Sequence, residues 1–386
     1  MREDNALESR VRARLAELRA QGLLRSLRPP AGIDLSSNDY LCLSTHPAVV
    51  GAFAEGLARG AGSTGSRLLR GDRDVFADLE RRFAAFKRTE RALFFSSGYL
   101  ANIAVLTTLP EAGDVIFSDE CNHASLIDGI RLSRATRVVF PHNDVDGLAR
   151  LMESTPCTGT RFVVIESLYS MEGNRAPLAQ LSAVCRSRRA ALIIDEAHAV
   201  GLFGERGSGL VEDAGISDDV LVSINTAGKA LGVGGALVAG PAWAVEYLVQ
   251  RARPFVFSTA APPAMASAIA ASLDVVRDEP FRRERLQTLA QYLRRRLQSC
   301  GLDVRDDTSQ IVPVHVGDNE AAVAIAQALQ ADGFDVRAIR PPTVPAGTAR
   351  LRVSVNTGLD EETLGRFTDR LVHALKEAGV CSAASS

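Results

Sequence analysis

The sequence predicts an α/β protein with one large, mainly parallel sheet followed by a smaller α+β domain. Short β-branched runs alternate with helical stretches through the middle of the chain, which is typical of parallel strands joined by helices. The run ALII at 191–194 has no polar alternation, as expected for a strand covered on both faces. After about residue 275 one long Arg-rich helix is followed by mixed strands and helices, which indicates the second domain.

The elements follow from local periodicity. Leu7, Val11, Leu15 and Leu18 recur at helical spacing and predict an amphipathic first helix that ends at Gly22. The strands of the large sheet are predicted at 115–117, 137–140, 162–165, 191–194, 221–224 and 236–239. Beyond 275 we predict helices around 286–297, 320–331 and 361–376, and strands at 310–316, 334–339 and 350–355. The predicted parts are an N-terminal segment, 1–40, a large domain, 41–275, and a small domain, 276–386.

Composition narrows the classes of function. The 386 residues carry 44 Lys and Arg against 46 Asp and Glu, and this formal charge of −2 argues against a nucleic-acid partner. Six cysteines show neither a CxxC pair nor zinc-like spacing, so we predict reduced, mostly buried thiols, no metal and a cytoplasmic location. The charged N-terminus lacks the apolar core of a signal peptide, and no run reaches about 18 apolar residues, so no membrane partner is expected.

Polar side chains follow several of the predicted strands. Because ligands of open parallel sheets bind beyond the carboxyl ends of strands, these positions are the first candidates for a site. They are His123 after the first strand, Glu166 and Ser170 after the third, Asp195 and His198 after the fourth, and Thr226 and Lys229 after the fifth. We therefore predict that these side chains converge on one edge of the sheet.

Two motifs suggest other functions and are set aside. The DEAH string at 195–198 suits a nucleotide-driven motor, but the candidate phosphate loop around Lys229 lacks its Ser/Thr and has Ser223 in place of the first glycine. The GVGG string at 232–235 suits a dinucleotide loop, but Leu237 replaces the third glycine and a strand follows instead of a helix.

A lysine in a tight loop of small residues can form a Schiff base with an aldehyde cofactor, and Lys229 lies in such a loop, TAGKA. Pyridoxal phosphate (PLP) also needs an acid beside its ring nitrogen, backbone N–H groups around its phosphate, and a flat group against its ring. Asp195 at a strand end, the helix start at Gly98 and the imidazole of His123 meet these needs. The sequence therefore predicts a PLP enzyme.

Nine strings match one protein family. They are SSNDYL at 36–41, GSTGSR at 62–67, SGY at 97–99, NHAS at 122–125, HND at 142–144, ESLYSMEG at 166–173, DEAH at 195–198, TAGK at 226–229 and FST at 257–259. With them the chain resembles, from about residue 15 to about 375, the α-oxoamine synthases. These are PLP-dependent transferases of fold type I (aspartate aminotransferase-like) that condense an amino acid with an acyl thioester and release CO2.

Residues 338–352, AIRPPTVPAGTARLR, are most similar to the family member that joins L-alanine to a pimeloyl thioester, on CoA or a carrier protein, in biotin biosynthesis. The alternative is a member that uses glycine or a different acyl-CoA. Alanine and glycine differ by one methyl group, which a pocket discriminates by only about 1–3 kcal/mol. A PLP aminotransferase is disfavoured by this string, and a catalytically silent homologue is disfavoured by Lys229.

The resemblance implies a role for each candidate residue. The catalytic set is Lys229, which holds PLP and moves the proton at the substrate Cα, Asp195 at the ring nitrogen, His198 at the ring hydroxyl, and His123 stacked on the ring and touching substrate. The further cofactor contacts are Gly98, Tyr99, Ser170 and Thr226, together with Ser258 and Thr259, which reach the phosphate of the neighbouring subunit in a homodimer. The substrate contacts are Arg352 and Asn38 for the amino acid, and Arg25 and Thr343 for the acyl chain.

Three positions depart from the family pattern. Phe76 stands where the family often has His, Cys42 replaces a usual Gly, and Ala227 replaces a bulky residue before Lys229. None of the three removes a catalytic group. They bear on the shape of the acyl tunnel and on the setting of the cofactor.

Overall fold

The computed structural model describes residues 6–305 and 309–380, and the predicted polar tail from Cys381 onward lies outside them. The α-helices are α1 (Ala6–Ala20), α2 (Pro47–Gly56), α3 (Asp74–Lys87), α4 (Gly98–Thr108), α5 (Ala124–Leu132), α6 (Val145–Ser154), α7 (Leu178–Ser187), α8 (Leu210–Asp213), α9 (Ala242–Arg251), α10 (Arg253–Val256), α11 (Pro263–Asp278), α12 (Phe281–Ser299), α13 (Asn319–Ala331) and α14 (Glu361–Glu377). The β-strands are β1 (Ile33–Asp34), β2 (Arg91–Phe95), β3 (Val115–Asp119), β4 (Thr136–Phe140), β5 (Arg161–Glu166), β6 (Ala191–Asp195), β7 (Val220–Thr226), β8 (Ala236–Gly240), β9 (Ile311–Gly317), β10 (Phe334–Asp335), β11 (Arg337–Ile339) and β12 (Ala349–Ser354).

The chain forms two compact units, Asn38–Leu286 and the remainder on either side of it. The first unit contains a seven-stranded sheet of order β2-β8-β7-β6-β5-β3-β4. Strands β4, β3, β5, β6 and β7 run parallel, and β8 is antiparallel to both of its neighbours. All six predicted strands are present, and the predicted mainly parallel sheet is confirmed. Strand β2 was not predicted, although its sequence RALFF is buried after the first residue.

Helices cover the sheet because its strands carry apolar side chains on both faces. The sequence of β6, ALIID, is buried from its second residue, as the absence of polar alternation predicts. On one side, Ile193 packs in a core cluster with Ala101 and Val105 of α4 and with Leu126 of α5. The start of α4 and the start of α5 are thereby held near the ends of the central strands.

The second unit contains a three-stranded antiparallel sheet of order β11-β12-β9. The predicted strand at 334–339 is in fact two strands in two sheets. Its first part, β10, pairs in parallel with β1, while β11 pairs with β12. Gly32 permits the first pairing, since a Cβ at this position would lie 2.3 Å from the Gly333 carbonyl oxygen.

Two predictions about side-chain exposure need correction. Helix α1 forms as predicted, but none of its residues is buried in the single chain, and Leu7 is 55% exposed. Among the described cysteines only Cys185 is buried, whereas Cys300 is exposed and the others are half-buried, so the prediction of mostly buried thiols is wrong. Within the described residues, no helix has the length and apolar character needed to span a membrane.

A buried ion pair joins α3 to the turn after β6. Lys87 Nζ contacts Glu196 Oε2 and also donates to the Ser208 carbonyl oxygen at 2.6 Å. The other carboxylate oxygen accepts the Val211 amide at 2.9 Å. Both charged side chains are at most 3% exposed, so each is the principal compensation for the other's loss of water.

Replacing Lys87 with Met should therefore leave the buried Glu196 carboxylate without its counter-ion. We expect a loss of about 3–5 kcal/mol in the free energy of unfolding, measured by urea titration. The exposed pair of Glu8 and Arg12 on α1 is the matched control, because Arg12→Ala should change stability by no more than about 0.5 kcal/mol. A K87M protein as stable as R12A would show that the buried pair contributes nothing.

Candidate active site

The site lies at the carboxyl edge of the large sheet. Because β3, β5, β6 and β7 are parallel, the residues that follow them emerge along one edge. After β3 the chain forms β4 on one side of it and then crosses back to form β5 on the other side. Such a reversal opens a crevice at the strand ends, where open α/β sheets bind ligands.

Lys229 lies in the connection between β7 and β8. The connection is closed by backbone hydrogen bonds from Ala227 N to Gly235 O at 2.8 Å and from Val233 N to Ala227 O at 2.9 Å. Gly232 has φ +67°, and a Cβ there would lie 2.4 Å from the Ser44 amide nitrogen. The GVGG string is therefore a packed turn that holds the lysine, and the strand predicted to follow it is β8.

His198 bridges the lysine and the start of this unit. Its Nε2 lies 2.8 Å from Lys229 Nζ, and its Nδ1 lies 2.8 Å from the Tyr40 hydroxyl. Tyr40 donates to Asn38 Oδ1 at 2.9 Å and is completely buried. The structure therefore brings Asn38, His198 and Lys229 into one chain of contacts through a tyrosine that was not among the predicted site residues.

Asp195 is linked to His123 through two further side chains. Its Oδ1 accepts the Ala197 amide and its Oδ2 accepts Asn102 Nδ2, both at 2.8 Å. The same Nδ2 donates to Ser125 Oγ at 2.8 Å, and Ser125 Oγ lies 2.7 Å from His123 Nδ1. The imidazole remains accessible at the N-terminus of α5, while Asp195 is only 5% exposed.

Glu166 ends β5 beside Asp195, to which it is paired in register on β6. Its Oε1 accepts the His123 amide at 2.6 Å, and the residue is 3% exposed. Burial and the negative charge of Asp195 raise the pKa of Glu166 well above its ordinary value, although Lys229 and the His123 amide oppose this. Partial desolvation lowers the pKa of His123, with Asp195 raising it and Lys229 lowering it.

The start of α4 forms a cradle for an anion. Gly98 is its first residue, after the N-cap Ser97, so the first-turn amides point out of the helix end. A Cβ on Gly98 would lie 2.3 Å from Thr226 Oγ1 at the end of β7, so only glycine fits here without a shift of that hydroxyl. Two of the predicted phosphate contacts, Gly98 and Thr226, are therefore adjacent.

The other predicted cofactor contacts of this unit are more exposed. Tyr99 is 46% exposed and its hydroxyl donates to Asp128. Ser170 is half-buried in the turn after β5. Ser258 is half-buried and Thr259 exposed after α10, in a segment where Ala260 N donates to Gly65 O at 2.9 Å.

Three predicted substrate contacts lie in the other unit. Arg25 Nη2 donates to Thr343 Oγ1 at 3.2 Å, so these two are brought together. Arg25 also lines a cavity of about 550 Å³ with Arg28 and Arg340. Burial and the Arg25 charge lower the pKa of Arg340. Arg352 lies on β12, is 7% exposed, and donates to Ser354 Oγ at 2.8 Å.

The three positions that depart from the family pattern have different surroundings. Phe76 is completely buried, and its ring centroid lies 5.8 Å from that of Phe94, with the Arg67 guanidinium 4.7 Å above it. Cys42 has φ 55°, the left-handed conformation that favours glycine. Ala227 is completely buried at the start of the lysine loop.

Sequence reasoning missed two residues of this site, Asn102 and Tyr40. Asn102 is a buried amide in the otherwise mostly apolar helix GYLANIAVLTT, four residues after Gly98 and so one turn from the anion cradle. A poor helix former at that position was the available signal. For Tyr40 no periodic signal exists, because it lies in an irregular segment.

Comparisons with known proteins agree with this geometry. A family profile described as aminotransferase class I and II matches residues 30–371. An 8-amino-7-oxononanoate synthase of Geobacter sulfurreducens is 43% identical over 96% of this chain and 99% of its own length. One of Burkholderia cenocepacia is 43% identical over 94% of both chains.

Solved structures give the same grouping. A serine palmitoyltransferase of Sphingomonas wittichii superposes with a TM-score of 0.91 at 30% identity, over 98% of this chain and all of that one. A structure described as SPT with PLP gives 0.90 at 29% identity over the same shares. An 8-amino-7-oxononanoate synthase of Francisella tularensis gives 0.78 at 29% identity, over 90% of this chain and 98% of that one.

The chain belongs to the aminotransferase class I and II family, the PLP-dependent enzymes of fold type I. Within that family it is an α-oxoamine synthase, as the sequence predicts. The predicted fold class, the enzyme class and the cofactor are confirmed.

A second ion pair, between the half-buried His142 and the buried Asp119, supports the strand end that leads to His123. His142 Nδ1 lies 2.9 Å from Asp119 Oδ1, and that carboxylate also accepts the amides of Cys121 and Asn143. Burial alone would lower the pKa of His142. Hydrogen bonds to Asp119 and Cys121 outweigh it and raise the pKa to about 10. The charged imidazolium therefore holds the segment between Asp119 and His123.

This raised pKa predicts a pH dependence of stability. The folded chain keeps the His142 proton above pH 6.5, where the unfolded chain releases it, so stability should fall from about pH 6.5 to about pH 10. His142→Gln should remove that part of the slope in urea titrations at a series of pH values. His373, an exposed histidine on α14, is the control, because His373→Gln should keep the slope. An unchanged slope in H142Q would contradict the assignment.

Proposed function

We propose that the chain condenses L-alanine with a pimeloyl thioester, carried by CoA or by a carrier protein. The products are 8-amino-7-oxononanoate, CO2 and the free thiol, in biotin biosynthesis. The observation that carries the proposal is the 43% identity to relatives of that name over nearly the whole of both chains. The structures named serine palmitoyltransferase superpose with higher TM-scores than the 8-amino-7-oxononanoate synthase structure does. Their sequence identity to this chain is only 29–30%, against 43% for the relatives above. A long-chain acyl member is therefore the second candidate.

The residues at the sheet edge fit PLP. Its phosphate suits the backbone amides in the first turn of α4. Gly98 lies so close to Thr226 that a side chain at this position would not fit, so backbone donors are what this turn offers to an anion. Its ring nitrogen suits Asp195, a buried carboxylate that two donors already hold in place. PLP, when bound, supplies an electron sink for the electron pair released at the substrate Cα.

The chain's own residues would then orient the substrate and move one proton. Lys229 Nζ takes the Cα proton and later returns it, and His198 Nε2 beside it fixes the position of the amine. Arg352 holds the amino-acid carboxylate, since its guanidinium can form two parallel hydrogen bonds to a carboxylate. Asn38 would be a further contact of the amino acid, and His123 would stack on the ring of the cofactor.

The far end of the acyl group is matched by positive charge. A pimeloyl chain ends in a carboxylate, and Arg25 and Arg340 approach each other closely enough for one to lower the pKa of the other. Two neighbouring guanidinium groups favour an anion between them. The proposal places the distal carboxylate at Arg25, with Thr343 as its hydrogen-bond partner.

The small number of lysines supports Lys229 as the residue that holds the cofactor. The sequence contains three, Lys87, Lys229 and Lys376. Lys87 is buried against Glu196, and Lys376 is exposed on the last turn of α14. Lys229 is the half-buried lysine at the carboxyl edge of the sheet, which supports it as the lysine that holds PLP.

A second copy of the chain completes each site in this proposal. Ser258 and Thr259 would reach the phosphate bound by the partner. They follow Phe257, an aromatic side chain that is 72% exposed in the single chain. An exposed aromatic beside predicted phosphate contacts suits a homodimer interface.

Attachment to Lys229 is tested by trapping. Borohydride treatment of the holoenzyme should fix the cofactor to the tryptic peptide that contains Lys229, as detected by mass spectrometry. Lys229→Ala should lose the visible absorbance band of the bound cofactor and all turnover, whereas Lys376→Ala should keep both. Trapping at Lys87 or Lys376 would refute the assignment.

The substrates are tested by thiol release with a panel of pairs. We expect turnover with L-alanine and pimeloyl-CoA, and much less with glycine and acetyl-CoA or with L-serine and palmitoyl-CoA. Heptanoyl-CoA, which has the same length without the carboxylate, should have a higher KM. Arg25→Gln should reduce the ratio of the heptanoyl-CoA KM to the pimeloyl-CoA KM by about ten-fold, the effect of losing one charge-assisted hydrogen bond. Preference for L-serine and palmitoyl-CoA would establish the second candidate instead.

A further inference from the structure

The contacts between Asp195 and His123 form a directional relay of hydrogen bonds. A carboxylate can only accept, so the group of Asn102 that faces Asp195 Oδ2 must be its NH2, at 2.8 Å. The second N–H of that group points to Ser125 Oγ, at 2.8 Å. Ser125 Oγ therefore accepts from Asn102, and its own proton is directed to His123 Nδ1, at 2.7 Å.

The same nitrogen of His123 accepts a second donor. The Ser125 amide lies 3.2 Å from His123 Nδ1, which is the N-cap contact of α5. Two donors on Nδ1 require its lone pair, so the proton of the neutral ring is on Nε2. The relay thus leaves Nε2–H as the one donor of the imidazole.

We propose that Asn102 and Ser125 are positioning residues that hold His123 as a neutral imidazole with its proton on Nε2, through a relay anchored on the Asp195 carboxylate. The catalytic use of this Nε2–H, as a donor to a substrate oxygen, depends on the proposed function. The relay itself does not, since it is a property of the chain before substrate binds.

Asn102 has no simpler explanation as a packing residue. It is 2% exposed on a helix whose buried neighbours are Ala101, Ala104 and Val105. Its Oδ1 is buried without a hydrogen-bond partner in the described part of the chain. An apolar side chain would avoid that unsatisfied oxygen, so the two donors of the amide are what the position provides.

The groups around His123 act on its pKa in opposite directions. Asp195 on β6 and Asp128 on α5 favour the imidazolium, while Lys229 after β7 and the loss of water oppose it. The buried carboxyl of Glu166 on β5 holds the backbone amide of His123. Burial is the largest of these effects and lowers the pKa of His123, and two hydrogen bonds that only the neutral form can accept act in the same direction.

The test is a pH titration of the 15N-histidine-labelled holoenzyme by NMR, without substrate. Long-range 1H–15N correlations distinguish the two neutral forms of a histidine ring, and His123→Gln identifies the signals. We expect His123 with a protonated Nε2 and an unprotonated Nδ1. A protonated Nδ1 in the wild-type chain would overturn the proposal.

Variants test the relay member by member. Ser125→Ala should raise the His123 titration midpoint by about half to one pH unit, because the neutral ring loses one donor to Nδ1. Ser125→Thr keeps the hydroxyl and should restore the wild-type midpoint. Asn102→Leu places an apolar side chain in a mostly apolar helix. It should raise the His123 midpoint by less than Ser125→Ala does. Ser133→Ala, at the C-terminal end of α5, is the control and should leave the His123 midpoint unchanged.

A midpoint in S125A equal to that of the wild type would refute the role of Ser125. The outcome is independent of the proposed reaction. A confirmed relay in a protein that does not turn over L-alanine and pimeloyl-CoA would reject the proposed substrates alone. If both hold, the acid limb of kcat/KM against pH should move with the NMR midpoint in S125A.

Discussion

The Asp195 carboxylate is the constraint around which the site is arranged. A buried charge is tolerated only when donors replace the lost water, and here the donors are the Ala197 amide and Asn102 Nδ2. The first donor fixes the turn after β6, and the second ties the strand to α4. Glu166 lies in register on the next strand, and burial together with the negative charge of Asp195 raises its pKa well above its ordinary value.

Close packing then fixes the two elements that face this carboxylate. Helix α4 begins against the end of β7, where Gly98 allows the backbone to approach Thr226 without a side chain between them. The lysine loop turns back at Gly232, which packs against the Ser44 amide. Both glycines are required for close approach, and together they set the distance between an anion cradle and an amine.

Much of this arrangement is predictable from the sequence, because it follows from periodicity and strand order. The apolar runs of β3 to β8 predict a mainly parallel sheet, and its parallel strands deliver His123, Asp195 and Lys229 to one edge. Side-chain links between elements are less predictable. Asn102 contacts a residue 93 positions away and Tyr40 one 158 positions away, and no local pattern encodes such distances. The division of 334–339 between two sheets was missed for the same reason.

The two histidines of the site have different partners at their ring nitrogens. The Tyr40 hydroxyl donates to Asn38 Oδ1 and lies 2.8 Å from His198 Nδ1. His198 Nε2 lies 2.8 Å from Lys229 Nζ and fixes the position of that amine. His123 instead offers Nε2–H as a donor, because Ser125 supplies both donors to its Nδ1. In the proposed function the two rings therefore have different tasks: His198 fixes the position of the Lys229 amine, and neutral His123 stabilises negative charge on a substrate oxygen without carrying a charge itself.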